Sequence, residues 1–234
     1  MKNKNIIIQN WGIIDYQEAL SKQYVLKNEI IAIKSSNNTQ KKNVITPNYL
    51  IFCEHPPTYT IGRSGNKEDF LANEKTLIEE GVQLYEVRRG GAITFHGLGQ
   101  LVVYFIWDLE NFYTDLHLFL RQIETTIIET LKEFNINSER YEGYTGVWID
   151  IVTTNARKIC AMGLHCTKWV TSHGIALNVN TDLSFFDKIV PCGIKDKFVT
   201  SIYQETRETI AFETIITIFL KKLQINFHIV NYEK

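Results

Sequence analysis

Three stretches of this chain concentrate residue types that can do chemistry. The first is RRGGAITFHGLGQ, residues 88–100, where four glycines, two arginines, a threonine and a histidine crowd into thirteen positions before the apolar run LVVYFIW. Glycines in such a loop reach positive φ and let a ligand come close to the backbone, so the segment can present a row of N–H donors. It lacks the Gly-Lys-Ser/Thr ending of a nucleotide-binding P-loop, and a glycine-rich hairpin with a core-packed His96 is the plain structural alternative. The second stretch, residues 157–178, sets Lys158 among apolar neighbours and places Asn178 inside a strand-like run. A lysine there is either a solvated strand-edge charge or a functional ammonium, and an asparagine there bonds either backbone or a ligand. The third is IVPCGI, residues 189–194, where Cys192 between proline and glycine lies on a tight turn that can present its sulfur. Free cysteines are commonly small buried hydrophobes. A nucleophilic one, with an ordinary pKa of about 8.5, needs a neighbouring cation or base to raise its thiolate fraction. Lys158 or His96 could supply either.

Those residues need a scaffold, and the rest of the chain describes one. At 234 residues and 44% apolar, it is long enough for one sizeable α/β domain with an ample core. We read residues 1–234 as a single catalytic domain, with the polar segment 34–47, KSSNNTQKKNVITP, as an exposed loop insert. The pattern predicts helices over 16–33 and 73–80, the latter closed by Gly81. A third helix starts near Thr114 and Asp115, with Leu116, Leu120, Ile123, Ile127, Leu131 and Phe134 on one face, and a fourth covers 210–223. Strands are predicted over 49–53, 58–61, 82–87, 92–95, 101–107, 147–151, 158–164, 174–179 and 226–230. The fold class is therefore α/β (α+β), a mixed β-sheet packed with helices.

Composition narrows the function. The 25 basic and 26 acidic side chains nearly cancel, which argues against a general nucleic-acid binder. Three isoleucines near the N-terminus are too few for a signal peptide, and no run of 18 apolar residues occurs, so a soluble cytoplasmic protein with no membrane partner is expected. Cys53, Cys160, Cys166 and Cys192 form no CxxC pair and have no histidine at finger-like spacing, which predicts free thiols and no metal framework.

Taken together, EHPPTYTIG (54–62), RGGAITFHGLGQLVVY (89–104), GVWID (146–150), RKICAMGL (157–164), SHGIALNVNTDLSFF (172–186) and IVPCGI (189–194) resemble the lipoyl(octanoyl) transferases in order and spacing. These are octanoyl-[acyl-carrier-protein]:protein N-octanoyltransferases. The resemblance implies a fold similar to the biotin- and lipoate-protein ligase catalytic domain. It also implies octanoyl transfer from acyl carrier protein to a lipoyl-domain lysine, the first step of endogenous lipoate synthesis. By the same resemblance Cys192 carries an acyl-thioester intermediate and Lys158 lowers its pKa and moves protons. Substrate contacts fall on Arg89, Gly90, Gly91, Ala92, Ile93, Thr94, Phe95 and His96, on Ala161, Met162 and Gly163, and on Gly174, Ile175 and Ala176. The implied partners are octanoyl-acyl carrier protein, whose phosphopantetheine bears the thioester, and the lipoyl domains of 2-oxoacid dehydrogenases and glycine cleavage H protein. No cofactor, ATP or metal is expected. Leu98 departs from the family's HGPGQ, and Cys160, two residues past Lys158, is a rival thiol on the same face of a regular strand. An ATP-dependent ligase, a non-catalytic carrier-binding protein and a thiol hydrolase are the alternative readings.

Overall fold

The computed structural model describes residues 2–66, 70–71, 81–189 and 198–233; the helix expected over 73–80 and the thiol Cys192 lie outside these residues. In chain order the elements are β1 (Asn5–Ile13), α1 (Tyr16–Gln40), β2 (Tyr49–Glu54), β3 (Thr58–Ile61), β4 (Gln83–Glu86), β5 (Ile93–His96) and β6 (Gln100–Ile106). Then come α2 (Leu116–Lys132), β7 (Glu139–Tyr141), β8 (Tyr144–Ile149), β9 (Arg157–Thr167), β10 (Val170–Asn178), β11 (Phe198–Val199), α3 (Ile202–Thr206), α4 (Phe212–Phe227) and β12 (Asn231–Glu233). Among the described residues the main sheet has nine strands in the order β12-β1-β2-β6-β10-β9-β8-β7, with β11 running along β9. A smaller sheet, β4-β3-β5, stands beside it.

The uninterrupted apolar sequence of β6 follows from burial on both faces. Leu101, Val103 and Phe105 meet Leu50 and Phe52 of β2 in a core closed by Phe119, Ile123 and Ile127 of α2 and Ile215, Phe219 and Phe227 of α4. Val102, Tyr104 and Ile106 join Tyr49, Ile51 and Cys53 on the opposite face, under Ala19 and Ile30 of α1. The mixed sheet with packed helices is thus the predicted fold class.

Several boundaries differ from the sequence expectations. The helix expected to stop at residue 33 continues to Gln40, so only the last part of the 34–47 insert is a loop. Its Ser, Asn and Thr residues are weak helix formers, but no glycine or proline breaks the run, and Lys34 pairs with Asp108 and Glu110 beyond β6. Lys41 ends the helix at φ 50, and Asn37 then bonds both N and O of Val44, folding the chain back. The strand expected over 226–230 is instead the last two residues of α4 followed by a turn, because the Phe227 ring packs on Trp107 and Phe119. The chain leaves the helix at His228 with φ 52 and pairs again only at Asn231. The first strand, β1, was not expected; its isoleucines are framed by polar residues, and its stability comes from parallel pairing with β2 on one side and β12 on the other.

One irregularity decides what β9 presents. Opposite β8, Trp148 pairs with Lys158 but Val147 pairs with Cys160, so β9 carries an extra residue, Ile159. Such a bulge resets the in–out alternation.

Candidate active site

A cavity of about 490 Å³ opens where β5 and the loop before it meet β6, β9 and β10. Its walls include Arg89, Gly90, Gly91, Ala92, Ile93, Thr94 and His96, then Ala161, Met162 and Gly163, then Gly174, Ile175 and Ala176, and finally Lys158. Three segments far apart in sequence therefore converge on one space. Phe95 does not join them. Its ring stacks on Phe185 at 4.6 Å and meets Tyr59 and Phe186 in the core of the small sheet. The alternation along β5 sends Thr94 and His96 to the cavity side and Phe95 away from it.

The glycine-rich loop is held by close backbone approach. Gly90 N–H donates to Leu164 O at 2.9 Å, and a Cβ on Gly163 would stand 2.5 Å from Gly90 O. Arg89, 7% exposed, donates from Nη2 to Thr60 O at 2.7 Å and from Nη1 to Gly90 O at 2.9 Å. Its guanidinium thus braces the loop against β3. Leu98, in the proline position, is exposed. The turn is secured beside it, because Gly99 N–H donates to Glu54 Oε2 and Gly99 O accepts from Asn180 N–H.

Lys158 is buried, and its Nζ lies 4.6 Å from the centre of the Trp148 ring. Its stem passes Gly146, where a Cβ would stand 3.3 Å from Lys158 Cε and 2.6 Å from Cys160 O. Gly146 adopts φ 122, a conformation side chains rarely tolerate. Its N–H donates to Oε1 of Glu124, a fully buried carboxylate that also binds Arg121 and Arg140. Cys160, expected to share the face of Lys158, lies instead in the core with Ile159 because of the bulge, and burial pushes its thiol pKa up.

The remaining polar groups of the cavity are neutral donors and acceptors. His96 is held well below the usual histidine range, first by burial and then by His55 and Arg89. It cannot supply the cation considered for it. Its Nδ1 lies 2.8 Å from Gln100 Oε1, which assigns the proton to Nδ1. Gln100 in turn donates to Asn178 Oδ1, and Asn178 donates to Thr200 O, so this asparagine is satisfied within the protein. His173 was passed over in the sequence except as a marker for the residues after it. It lines the cavity, is 2% exposed, and burial lowers its pKa to about 3. Tyr16, Tyr104, Tyr144, Thr145, Leu116 and Leu120 also line the space. Apart from Tyr104, which closes the 89–104 segment, they carried no motif-like signal, since each belongs to an element that approaches the cavity only in three dimensions.

The family description "Lipoyl protein ligase A/B catalytic domain" matches residues 23–224, most of the chain. The chain belongs to this lipoyl ligase and transferase family. Within it, the octanoyltransferase of Cytophaga hutchinsonii is 48% identical over 230 residues, covering 97% of this chain and 94% of its own. Solved structures show how the family's fold is shared at low identity. The bi-partite lipoate protein ligase of Thermoplasma acidophilum matches with a TM-score of 0.70 at 14% identity, over 100% of this chain and 87% of that one. The biotin protein ligase of Aquifex aeolicus reaches 0.51 at 17% identity, over 96% and 71%. Among the described residues of this family member, no helix is long and apolar enough to cross a membrane.

Proposed function

We propose that this chain transfers an octanoyl group from the phosphopantetheine thioester of acyl carrier protein to the lysine of a lipoyl domain, with Cys192 as the covalent carrier. The observation that carries this reading is Lys158, a buried amine in the wall of a cavity whose other lining cation, Arg89, is bound to Thr60 O and Gly90 O, and whose remaining lining is apolar side chains, glycines and neutral polar groups. Identity of 48% to an octanoyltransferase supports the choice of acyl group. The chain on either side of Cys192 borders the same cavity: Phe186 lines it before, and Val199, paired with Lys158, lines it after.

The chemistry balances without a nucleotide. The Cys192 thiolate attacks the thioester carbonyl, the tetrahedral intermediate expels the phosphopantetheine thiolate, and that sulfur takes up a proton. The neutral amine of the lipoyl-domain lysine then attacks the acyl-cysteine; Cys192 leaves as thiolate, and the amine sheds a proton as the amide forms. Lys158 is the group we assign to exchange protons with Cys192 in both steps. Backbone N–H groups of the glycine-rich loop are suited to hold the oxyanion. The first step trades thioester for thioester, and the stable amide draws the second forward.

Intact-protein mass after incubation with octanoyl-acyl carrier protein, without ATP, tests the reading. A hydroxylamine-labile gain of one octanoyl group is expected, absent in Cys192→Ala and discharged by added lipoyl domain. Lys158→Ala should slow both half-reactions. An enzyme that gains no adduct and acylates lipoyl domain only with ATP would replace transferase by ligase.

A further inference from the structure

Glu124 of α2 is a fully buried carboxylate bound to the strand that neighbours Lys158. Leu116 and Leu120 of the same helix line the cavity, and Glu124 continues their row at the next i+4 step. Its two oxygens serve different elements. Oε2 accepts from Arg121 Nη1 at 2.6 Å and from Nε of Arg140, in β7, at 3.0 Å. Oε1 accepts from the backbone N–H of Gly146, in β8, at 3.0 Å. Arg140 is pinned in turn, because its Nη2 donates to Arg121 O at 2.7 Å. One carboxylate thus ties α2 to both strands of the β7–β8 hairpin, whose Gly143, Tyr144 and Thr145 line the cavity.

An ion group of this kind is a weak source of stability. Burying the carboxylate costs solvation, and arginines that remain exposed return only part of it. What the arrangement does supply is direction. With Oε2 held by two guanidinium groups, the carboxylate plane is fixed and Oε1 meets the Gly146 N–H. Gly146, at φ 122, lies against the stem of Lys158, since a Cβ there would stand 3.3 Å from Cε and 3.5 Å from Cδ of that lysine. The hairpin reaches the lysine by a second route. Tyr141, next to Arg140, meets the Trp148 ring edge-on at 5.4 Å, and that ring lies 4.6 Å from Lys158 Nζ. Both routes start at Glu124 and end on the same amine.

We propose that Glu124 is a positioning residue for Lys158, fixing through Gly146 and the β7–β8 hairpin where the lysine amine stands in the cavity. The assignment rests on the octanoyl-transfer reading above, in which Lys158 exchanges protons with Cys192. Proton transfer needs hydrogen-bond reach, so a backbone shift at Gly146 is felt directly in the rate. Only a carboxylate meets both demands at this site. A glutamine has a single acceptor oxygen. If that oxygen faces Gly146, the NH2 group confronts two guanidinium groups; if it faces the arginines, the NH2 group confronts the Gly146 N–H. Either way a donor meets a donor and the hairpin is displaced.

The test is acylation of the full chain by octanoyl-acyl carrier protein, followed by intact mass, for the wild type, Glu124→Gln, Lys158→Ala and the double variant. Glu124→Gln should lower the rate constant at saturating donor about ten- to hundredfold, the scale of a misplacement of about 1 Å. The donor concentration that gives half that rate should change by less than about twofold, because binding is left intact. In the Lys158→Ala background the same substitution should have no further effect, since a residue acting through the lysine has nothing left to position. A substitution that merely loosened the fold would slow both backgrounds by the same factor. Equal slowing in the two backgrounds would therefore overturn the proposal. So would a Glu124→Gln protein that acylates at the wild-type rate, or one in which only the half-saturating concentration changes. Should Glu124→Gln not fold, Glu124→Asp, which keeps both oxygens but draws them back by one methylene, is held to the same pattern. Failure of the wild type to become acylated at all would instead remove the octanoyl-transfer reading, and this assignment with it.

Discussion

Replacing Gly146 by alanine should damage both the fold and the chemistry by a calculable amount. The new Cβ would stand 2.6 Å from Cys160 O and 3.3 Å from Lys158 Cε, at a residue with φ 122. A side chain forced into such a conformation costs about 1–3 kcal/mol, and overpacking against fixed backbone adds roughly 1–3 kcal/mol. A chain of this length loses about 2–4 °C of Tm per kcal/mol, so a fall of roughly 4–24 °C is expected in a thermal melt. The neighbours that must give way are the carbonyl of β9 and the stem of Lys158 itself, so the amine is displaced even in molecules that remain folded. A misplacement worth about 1.4 kcal/mol in the transition state slows a step tenfold. Acylation by octanoyl-acyl carrier protein, followed by intact mass well below the variant's Tm, should slow by at least that factor. A Gly146→Ala protein that melts with the wild type and acylates at its rate would refute the idea that this glycine sets the position of Lys158.

Other substitutions follow from the same geometry. Cys160→Ala should retain the full octanoyl adduct, because Cys160 is buried in the core with a raised pKa; loss of the adduct on peptide mapping would restore Cys160 as a candidate. Shortening the donor from octanoyl to hexanoyl removes two methylenes, worth about 1.6 kcal/mol if fully buried, so kcat/KM should drop about fifteenfold, and an equal value would mean that the acyl tail is not enclosed. His173 has its pKa lowered to about 3 and His96 well below the usual range, so both stay unprotonated in the folded chain. Unfolded histidines take up protons below about pH 6.5, so stability should be fully present above that pH. It should decline on acidification towards the folded values, by about 1.4 kcal/mol per pH unit for each histidine. Denaturant unfolding between pH 7 and 4 should therefore show a shallower slope for His173→Gln than for the wild type, and identical slopes would contradict the burial argument.

Much of this molecule was legible from its sequence, because the signals were local. The strand over 58–61 and the Asp115 cap of α2 are written in nearby residues. The segments gathered around the cavity were found because glycine and reactive side chains cluster in them. What escaped was non-local. The bulge at Ile159 arises from pairing with β8 and has no signature in β9 itself, so the expectation that Lys158 and Cys160 share a face failed. The stretch of α1 beyond residue 33 is fixed by Lys34 reaching Asp108 and Glu110, which sequence proximity cannot reveal. Phe95 sat inside a motif whose neighbours face the cavity, yet its own side chain answers to Phe185 and Tyr59. His173 is the converse case, a residue used only to locate its successors that turns out to be buried in the cavity wall with no hydrogen-bond partner for its ring among the described residues.

The extra residue in β9 also governs which length changes this strand can absorb. Lys158 and Ala161 look into the cavity while Ile159 and Cys160 both look into the core. Excising Ile159 alone would leave a strictly alternating strand in which Lys158, Cys160 and Ala161 all keep their present sides. Excising any one residue between 161 and 166 would turn everything on one side of the gap over, putting core side chains into the cavity or the lysine into the core. The strand therefore conserves handedness when either of two neighbouring residues, Ile159 or Cys160, is removed. A deletion scan across it should tolerate the gaps at Ile159 and Cys160, in a segment where every other gap is destructive.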